Sequence, residues 1–544
     1  MLGSLHMNVE PEPTPPRASR RWSDLVARRA WLVVFVVAAA AAVPLRLAWS
    51  RGAWFTVDDW DFLSERTAGN LGDLFRPHYE HWSTLIVLAY RILWVATGLR
   101  YLPYELFAII LYLAVAALIL AVMRRAEVDP WIATIAALVV VYLGVGIENN
   151  FFTAALVFGL GHLLLADHDG PVGRRDYLGV GAGFAALMCS GLGAAMVFVV
   201  GVAMLLRRGW RVALGHTVPL GCAYLVWLGA APKGQSAASL HASGPSEVLT
   251  FAARGLEAGF DRVGQLWGGG ALVGLVLLSG LFVTPRRSRT SLLRGRGANA
   301  IALLVGAVAF LLLTGAVRSG EGSGVLKGVG PEHARAGRYA YVVAAMAMPI
   351  LALAVDELVR RWRYVAFLLA ALLVVSLPGR VDAFRSAARS FAALNGFNRS
   401  LVLSAPRLPL ARQLPPDLSV SILGGGGPRL GWLIDSLPSG RIPPAPRLAP
   451  VAIASETLTL ALRRTATSAR ASCRRLNGPT VRVLHKGSSL RLESGAAEVV
   501  YTPAPGVASI PRPLPLGTVV ALAGPLRLRI IPTPRTSGRV TLCG

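Results

Sequence analysis

Charge is scarce in this sequence. Asp, Glu, Lys and Arg make up 15% of its 544 residues while 54% are hydrophobic, against roughly 25% charged and 45–50% apolar in soluble domains. That balance excludes an ordinary soluble globular protein and makes a lipid bilayer the expected solvent. Cysteine is scarcer still, with four residues, and no classical zinc-ligand spacing is present. The short basic loops hold no Gly-rich phosphate cradle, which argues against a cytoplasmic nucleotide site. No soluble segment carries a basic stripe interleaved with aromatics, so the formal charge of +26 does not point to nucleic acid.

What is abundant is hydrophobic run length. Eleven runs lie near 31–49, 102–123, 131–147, 151–166, 177–189, 191–206, 212–230, 268–284, 299–316, 339–358 and 364–378. Crossing a hydrocarbon core about 30 Å thick takes about 20 apolar residues. The first run, Trp31 to Trp49, exceeds a signal-peptide core and lacks a small-x-small cleavage site, so it reads as a retained span. Arginines cluster at alternate gaps, at Arg20-Arg21 and Arg28-Arg29, Arg124-Arg125, Arg174-Arg175, Arg207-Arg208, Arg286-Arg287 and Arg360-Arg361. This is the positive-inside pattern.

The expected architecture is therefore mainly α: a polytopic transmembrane helical bundle of about 11 spans with a cytoplasmic N-terminus. Residues 1–30 form a disordered, basic cytoplasmic tail, and 31–378 form the membrane domain with external loops at 50–101, 231–267 and 317–338. The apolar stretch Ser83 to Gly98 is assigned to the outer interface, because a full crossing there would invert every later arginine cluster.

After Gly379 proline, glycine and serine become frequent, and 379–544 reads as a separate extracytoplasmic domain. An amphipathic helix over 380–395 leads in. The alternation in Val481-Arg482-Val483, Leu490-Arg491-Leu492 and Leu526–Ile530 predicts antiparallel strands of a small sandwich. Cys473 and Cys543 bracket this portion, and an oxidising compartment would let them bond. Cys189 and Cys222 fall in spans as packing residues.

Chemistry-capable residues gather in the first external loop. Asp58, Asp59 and Asp61 follow the first span directly. On a helix Asp58 and Asp61 share a face, so one carboxylate could face a substrate while another caps or orients, although aspartates also commonly cap surface helices. Further on, Arg76-Pro77-His78-Tyr79-Glu80-His81-Trp82 brings cation, imidazole and carboxylate within seven residues, a set that could hold phosphate, ligate a metal or pass protons. A divalent metal, Mg or Mn, is admitted by this chemistry without being required. Glu148, at the outer end of the third span, is a further candidate because a carboxylate near the membrane plane is costly without a cavity or partner.

In its spans, cytoplasmic N-terminus, acidic pair in the first external loop, following interfacial helix and external C-terminal domain, the chain resembles the GT-C membrane glycosyltransferases, which take sugars from polyprenyl-phosphate carriers. Asp58-Asp59 stands where that family has its acidic motif, and Pro77 to Trp82 resembles the segment that follows. The likeness covers roughly residues 20–380; the C-terminal domain lies outside it. It implies an inverting transfer at the extracytoplasmic face of the cell membrane, to a cell-envelope glycan or lipid acceptor. Asp59 or Asp58 would be the general base, with Asp61, Arg76, His78, Glu80, His81 and Glu148 around the substrates. Arg338, followed by Tyr339, would meet the lipid phosphate. The competing expectations are a transporter or flippase for an envelope lipid or polysaccharide, and a non-catalytic glycan-binding membrane protein.

Overall fold

The computed structural model describes residues 29–544 apart from 67–68, 80, 145–149, 231–243, 266–267, 284–293, 296, 320–329, 422–425, 466–472, 477–478, 486–487, 515, 517–518, 523–525, 533–538 and 544. Each of the eleven hydrophobic runs contains a helix among its described residues. Apart from a short turn at Leu71–Leu74, the helices before the first long loop break are α1 (Ala30–Trp49), the single turn α2 (Val57–Trp60), α3 (Thr84–Thr97), α4 (Tyr101–Arg125), α5 (Pro130–Val141), α6 (Asn150–Ala166), α7 (Arg174–Leu187), α8 (Leu192–Arg207) and α9 (Trp210–Ala230). They are followed by α10 (Pro245–Gly264), α11 (Gly269–Val283), α12 (Ala298–Arg318), α13 (Gly337–Arg361) and α14 (Val365–Ser404).

Six of these, α1, α4, α9, α12, α13 and the first part of α14, are long and apolar enough to cross a bilayer alone, and α10 with α11, bent by 94°, would make a seventh. Others are shorter, such as α5 with 12 residues and α8 with 16. Large apolar side chains stand exposed along the bundle, including Val37, Ile110, Val226, Phe282, Phe367 and Val374. A water-soluble surface would not carry so many, and the chain is a membrane protein. Inside the bundle small residues let helices approach closely. A Cβ on Gly280 would come within 2.5 Å of Ala354, and one on Gly306 within 2.1 Å of Val199.

Two expectations differ from the structure. The segment 231–267, read as loop, contains α10, whose buried Phe251, Ala252, Gly255, Ala258, Gly259 and Val263 recur at helical spacing. The span ending at 378 and the amphipathic helix from 380 are one 40-residue helix, α14, with Pro378 inside it. At 1.5 Å per residue α14 is about 60 Å long, twice the thickness of a hydrocarbon core, so about half of it projects beyond the apolar layer. That projecting half returns to the start of the chain. Phe384 packs on Trp49 with ring centroids 4.8 Å apart, and Asn395 Nδ2 donates to the Trp54 carbonyl at 3.3 Å.

Beyond α14, α15 (Leu430–Ser436) and α16 (Pro450–Ala461) precede nine strands among the described residues. A five-stranded sheet has the order β1-β7-β4-β9-β2 and a four-stranded sheet β3-β8-β5-β6, where β1 is Leu462–Thr465, β2 Cys473–Leu476, β3 Thr480–Leu484, β4 Ser489–Ser494, β5 Ala497–Tyr501, β6 Arg512–Pro513, β7 Val519–Leu522, β8 Leu526–Pro532 and β9 Arg539–Cys543. One core joins Leu490, Leu492 and Val540 of the first sheet to Val499, Leu528 and Ile530 of the second, so the sheets face each other. The alternation that predicted strands is realised in β4 and β8. In β3, an edge strand, Val481 and Val483 are exposed and only Leu484 turns inward. Cys473 is disulfide-bonded and lies opposite Cys543 in the β2–β9 register, while Cys189 and Cys222 are free thiols.

The segment between α14 and the strands lies against the first loop. Arg429 pairs with Glu65, Trp432 packs on Trp94 at 4.8 Å, and Leu99 N donates to the Arg441 carbonyl at 2.9 Å.

Candidate functional site

The chain leaves α1 and buries Trp54, Phe55 and Trp60, Phe55 meeting the edges of Tyr101 and Tyr104. These aromatics fix where the single turn α2 begins. Thr56 caps it in extended geometry, and Asp59, three residues on, closes a capping box. Asp59 Oδ2 accepts from Thr56 N at 2.7 Å and Thr56 Oγ1 at 3.1 Å. Its other oxygen accepts from the Tyr90 hydroxyl at 2.6 Å, and Asn150 Nδ2 donates to that hydroxyl at 3.1 Å. Both oxygens of Asp59 are thus engaged. Burial raises its pKa, the Thr56 and Tyr90 hydrogen bonds lower it, and the net shift is upward.

Asp61 begins a π-helical turn, Asp61–Glu65, and is the hub of a second cluster. Arg66, 1% exposed, contacts Asp61 Oδ2 at 2.7 Å and also donates to the Arg76 carbonyl. Arg76 reaches Asp61 Oδ1 at 3.5 Å, and His78 Nδ1 lies 2.6 Å from Oδ2. Burial raises the Asp61 pKa, but the His78 hydrogen bond and the Arg66 charge outweigh it and hold the carboxyl at about 2.

His78 connects this hub to Asp58. The two histidines of the loop form a tight hairpin, with 2.9 Å backbone bonds in both directions between His78 and His81 and Tyr79 at φ 53°. The hairpin turns the buried His78 ring against Phe62. With Nδ1 committed to Asp61, its Nε2 faces Asp58 Oδ1 at 3.6 Å, an ion-pair distance too long for a hydrogen bond. Nε2 has no hydrogen-bond partner there. Burial lowers the His78 pKa and the two aspartates raise it, with a net upward shift. His81 Nδ1 accepts from Gly191 N at 3.2 Å, and its ring packs between Phe151 and Phe152.

Asp58 is more open than Asp61, 41% exposed against 24%. Burial raises its pKa, but His78, Arg338 and His81 lower it further, so it is held below the usual carboxylate value. Arg338 arrives from the first turn of α13, donates to His333 Nε2 at 2.9 Å and lies over the Tyr339 ring. Burial first, then the charges of Arg338 and Arg318, depress His333 to about 4, which keeps Nε2 unprotonated and able to accept. Tyr339 is fully buried, its hydroxyl accepting from Arg318 at 3.1 Å.

Most residues expected at the site are therefore drawn together from two distant stretches: Asp58, Asp59, Asp61, Arg76, His78 and His81 from one, Arg338 and Tyr339 from the other. Glu80 and Glu148 lie outside the described residues. Sequence reading missed Arg66, Tyr90 and Asn150; only the rarity of an Arg or Asn beside apolar segments could have flagged them. Among the described residues no group of three or more His, Cys, Asp or Glu is arranged to hold a metal ion, since Asp58 and Asp61 address opposite nitrogens of one imidazole.

At the arginine-rich end of the bundle lies a second polar chain, in which His162 Nε2 meets His216 Nδ1 at 2.9 Å and His216 Nε2 meets Asp176 at 3.0 Å. Asp176 also contacts His168 at 3.0 Å and Arg208 at 2.5 Å. Compared with protein-family models, with curated proteins and with solved structures, the chain matches none.

Proposed function

We propose that this membrane protein is an inverting glycosyltransferase that moves a sugar from a polyprenyl-phosphate donor to a cell-envelope glycan or lipid acceptor at the extracytoplasmic face. The observation that carries the reading is the division of labour among three clustered aspartates. Asp59 and Asp61 are saturated by structural partners, while Asp58 is half-exposed and faces two imidazoles and an arginine. The likeness to GT-C enzymes left Asp59 ahead of Asp58 as base; the geometry favours Asp58.

In this mechanism Asp58 accepts the proton of the acceptor hydroxyl as the oxygen bonds to the anomeric carbon. The bond from that carbon to the phosphate oxygen breaks on the opposite face, and the lipid phosphate leaves with the electron pair. Arg338 stabilises the departing anion, while His78 stays on the side of the base, its Nε2 3.6 Å from Asp58 Oδ1. Asp61 holds His78 through Nδ1, and Asp59 fixes α2 so that Asp58 points outward. The arginine clusters support eleven crossings with the N-terminus inside and this loop outside.

The test is transfer of labelled sugar from a polyprenyl-phosphate donor by purified protein in lipid. Asp58→Asn should lower kcat by about 10²–10⁴ with folding unchanged, and Asp59→Asn should act mainly through stability. Full turnover by Asp58→Asn would overturn the reading.

A second reading, proton-coupled transport of an envelope lipid, is favoured by the His168–Asp176–His216–His162 chain, because ionisable groups among membrane helices commonly mark proton paths. Lipid translocation in reconstituted vesicles that depends on a pH gradient and is lost in His216→Gln would favour it over transfer.

A further inference from the structure

We infer that the protein holds a hydrocarbon tail of a bilayer phospholipid as a resident ligand, seated in a cleft between the first part of α14 and the helices α5, α11 and α13. The cleft has a volume of ≈ 210 Å³, larger than the roughly 150 Å³ of an apolar cavity that stays free of water and takes up benzene. It follows α14 from Ala366 to Arg380, about 21 Å at 1.5 Å per residue. One leaflet of a hydrocarbon core about 30 Å thick is about 15 Å deep, so the cleft can take a lipid tail at full leaflet depth. Such a site stands whether or not the protein transfers sugar.

The walls decide the class of ligand. Ile135 of α5, Val276 of α11, Val355 of α13 and Leu373 of α14 each face the cleft, and the two polar residues on it, Ser376 and Arg380, are turned to protein groups. Arg380 Nε donates to Ser376 Oγ at 3.2 Å and Nη2 to the Val263 carbonyl, at the C-terminal end of α10, at 2.5 Å, while Nη1 is enclosed. Ser376 Oγ donates to the Leu373 carbonyl at 2.8 Å. A buried water needs two to four polar partners, which these walls do not offer. With Arg380 5% exposed, the cleft presents no open charge to a headgroup, and what it selects is the apolar tail.

Two observations make the surrounding bilayer the source. Of the six helices long enough to cross alone, the first part of α14 is the least buried, with 11% of its residues buried against 78% for α13, so it stands off the bundle. The cleft is also continuous with the lipid-facing surface. Ile135 on its wall is 45% exposed, and Leu275, Phe367 and Leu368, which flank lining residues in sequence, are exposed as well. Bilayer tails therefore reach it directly. No residue of α2, α3 or α6 lines it, and Met348, the lining residue of α13 nearest in sequence to Arg338, lies about 15 Å along the helix from that arginine. The cleft is thus apart from the point where a donor phosphate would be anchored. A tail here fills the gap behind a helix whose far half packs Phe384 on Trp49 and hydrogen-bonds Asn395 to the Trp54 carbonyl, and so steadies the support of the first loop.

Native mass spectrometry on the full chain in neutral detergent, titrated with palmitoyl-oleoyl phosphatidylglycerol and palmitoyl-oleoyl phosphatidylcholine, tests this. At least one phospholipid should stay bound after free lipid is washed away, with the two headgroups retained alike. Ala370→Phe, which fills the cleft from an exposed position on α14, should weaken retention about tenfold. Val374→Phe, exposed on the same helix but off the lining, should leave it unchanged. Thermal unfolding checks the fold, and Ala366→Phe, one turn away, repeats the test if Ala370→Phe does not fold. No retained phospholipid, retention of one headgroup only, or retention indifferent to the folded cleft variants overturns the site. Preferential retention of undecaprenyl phosphate in competition replaces the phospholipid by a donor tail, and a lipid-free dimer that Ala370→Phe splits replaces it by a second copy of the protein; either overturns the assignment. Cleft-dependent retention by a protein that transfers no sugar sustains the site and removes only the transfer reading.

Discussion

The hydroxyl of Tyr90 donates a 2.6 Å hydrogen bond to Asp59 Oδ1, and this contact joins helix α3 to the turn that presents Asp58. Tyr90 is 2% exposed. Tyr90→Phe should therefore leave one carboxylate oxygen and the Asn150 amide without partners, costing about 1–3 kcal/mol. Thermal unfolding in detergent measures the loss. Transfer should fall less than in Asp58→Asn, because the reacting carboxylate is kept while its support is loosened.

The His78 cluster gives a pH signature with a definite sign. His78 titrates above its ordinary 6.5 in the folded chain, so its contribution to stability is complete below pH 6.5 and disappears as pH rises through the raised folded value. Asp61 is depressed from 3.8 to about 2, so its contribution is complete above 3.8 and disappears as pH falls through about 2. Both act fully between those limits. The thermal-stability difference between wild type and His78→Gln should be largest near pH ~5 and shrink toward pH ~9. A difference that grows with pH would refute the ion-pair account of His78.

How much of this was legible beforehand follows from the physics of each feature. Hydrophobic runs report burial in lipid or protein whatever the tertiary fold, so all eleven predicted helices could be found. Their ends could not. Pro378 and Gly379 read as a break, yet a membrane-associated helix tolerates proline when neighbours satisfy the freed carbonyl, and α14 runs through. Helix α10 was hidden because Glu247, Arg254, Glu257, Asp261 and Arg262 dilute its apolar stripe. At the site, the acidic and histidine residues were visible because they lie within about 25 positions of one another. Arg338 was named through the family resemblance, whereas Tyr90 and Asn150 were not, since they reach Asp59 only through long-range packing.

Gly98 marks where the C-terminal region closes on the first loop. Its φ is +62°, and a Cβ there would meet the Arg441 carbonyl oxygen at 2.1 Å, beside the bond from Leu99 N to that same oxygen. Gly98→Ala combines backbone strain with a clash against main chain, for a cost above about 1 kcal/mol. The visible consequence should be faster proteolysis between α14 and α15, with the helical bundle intact by circular dichroism. Unchanged digestion would show that this contact does not hold the region down.

Arg338 separates charge from geometry. It lies over Tyr339 and donates to a neutral His333, leaving the rest of its planar fork for an anion near Asp58. Arg338→Gln removes the charge, so Asp58 loses one of the influences that depress its pKa, and a phosphate loses its nearest fixed cation. Arg338→Lys keeps the charge but not the two-pronged donor set. If Arg338 meets the leaving phosphate, Gln should reduce kcat/KM by about 10²-fold and Lys by about tenfold. The acidic limb of the pH–rate profile should move upward in Gln alone. Equal losses in the two variants, with no shift of that limb, would instead assign Arg338 to packing on Tyr339, because packing is blind to whether the replacement carries a charge.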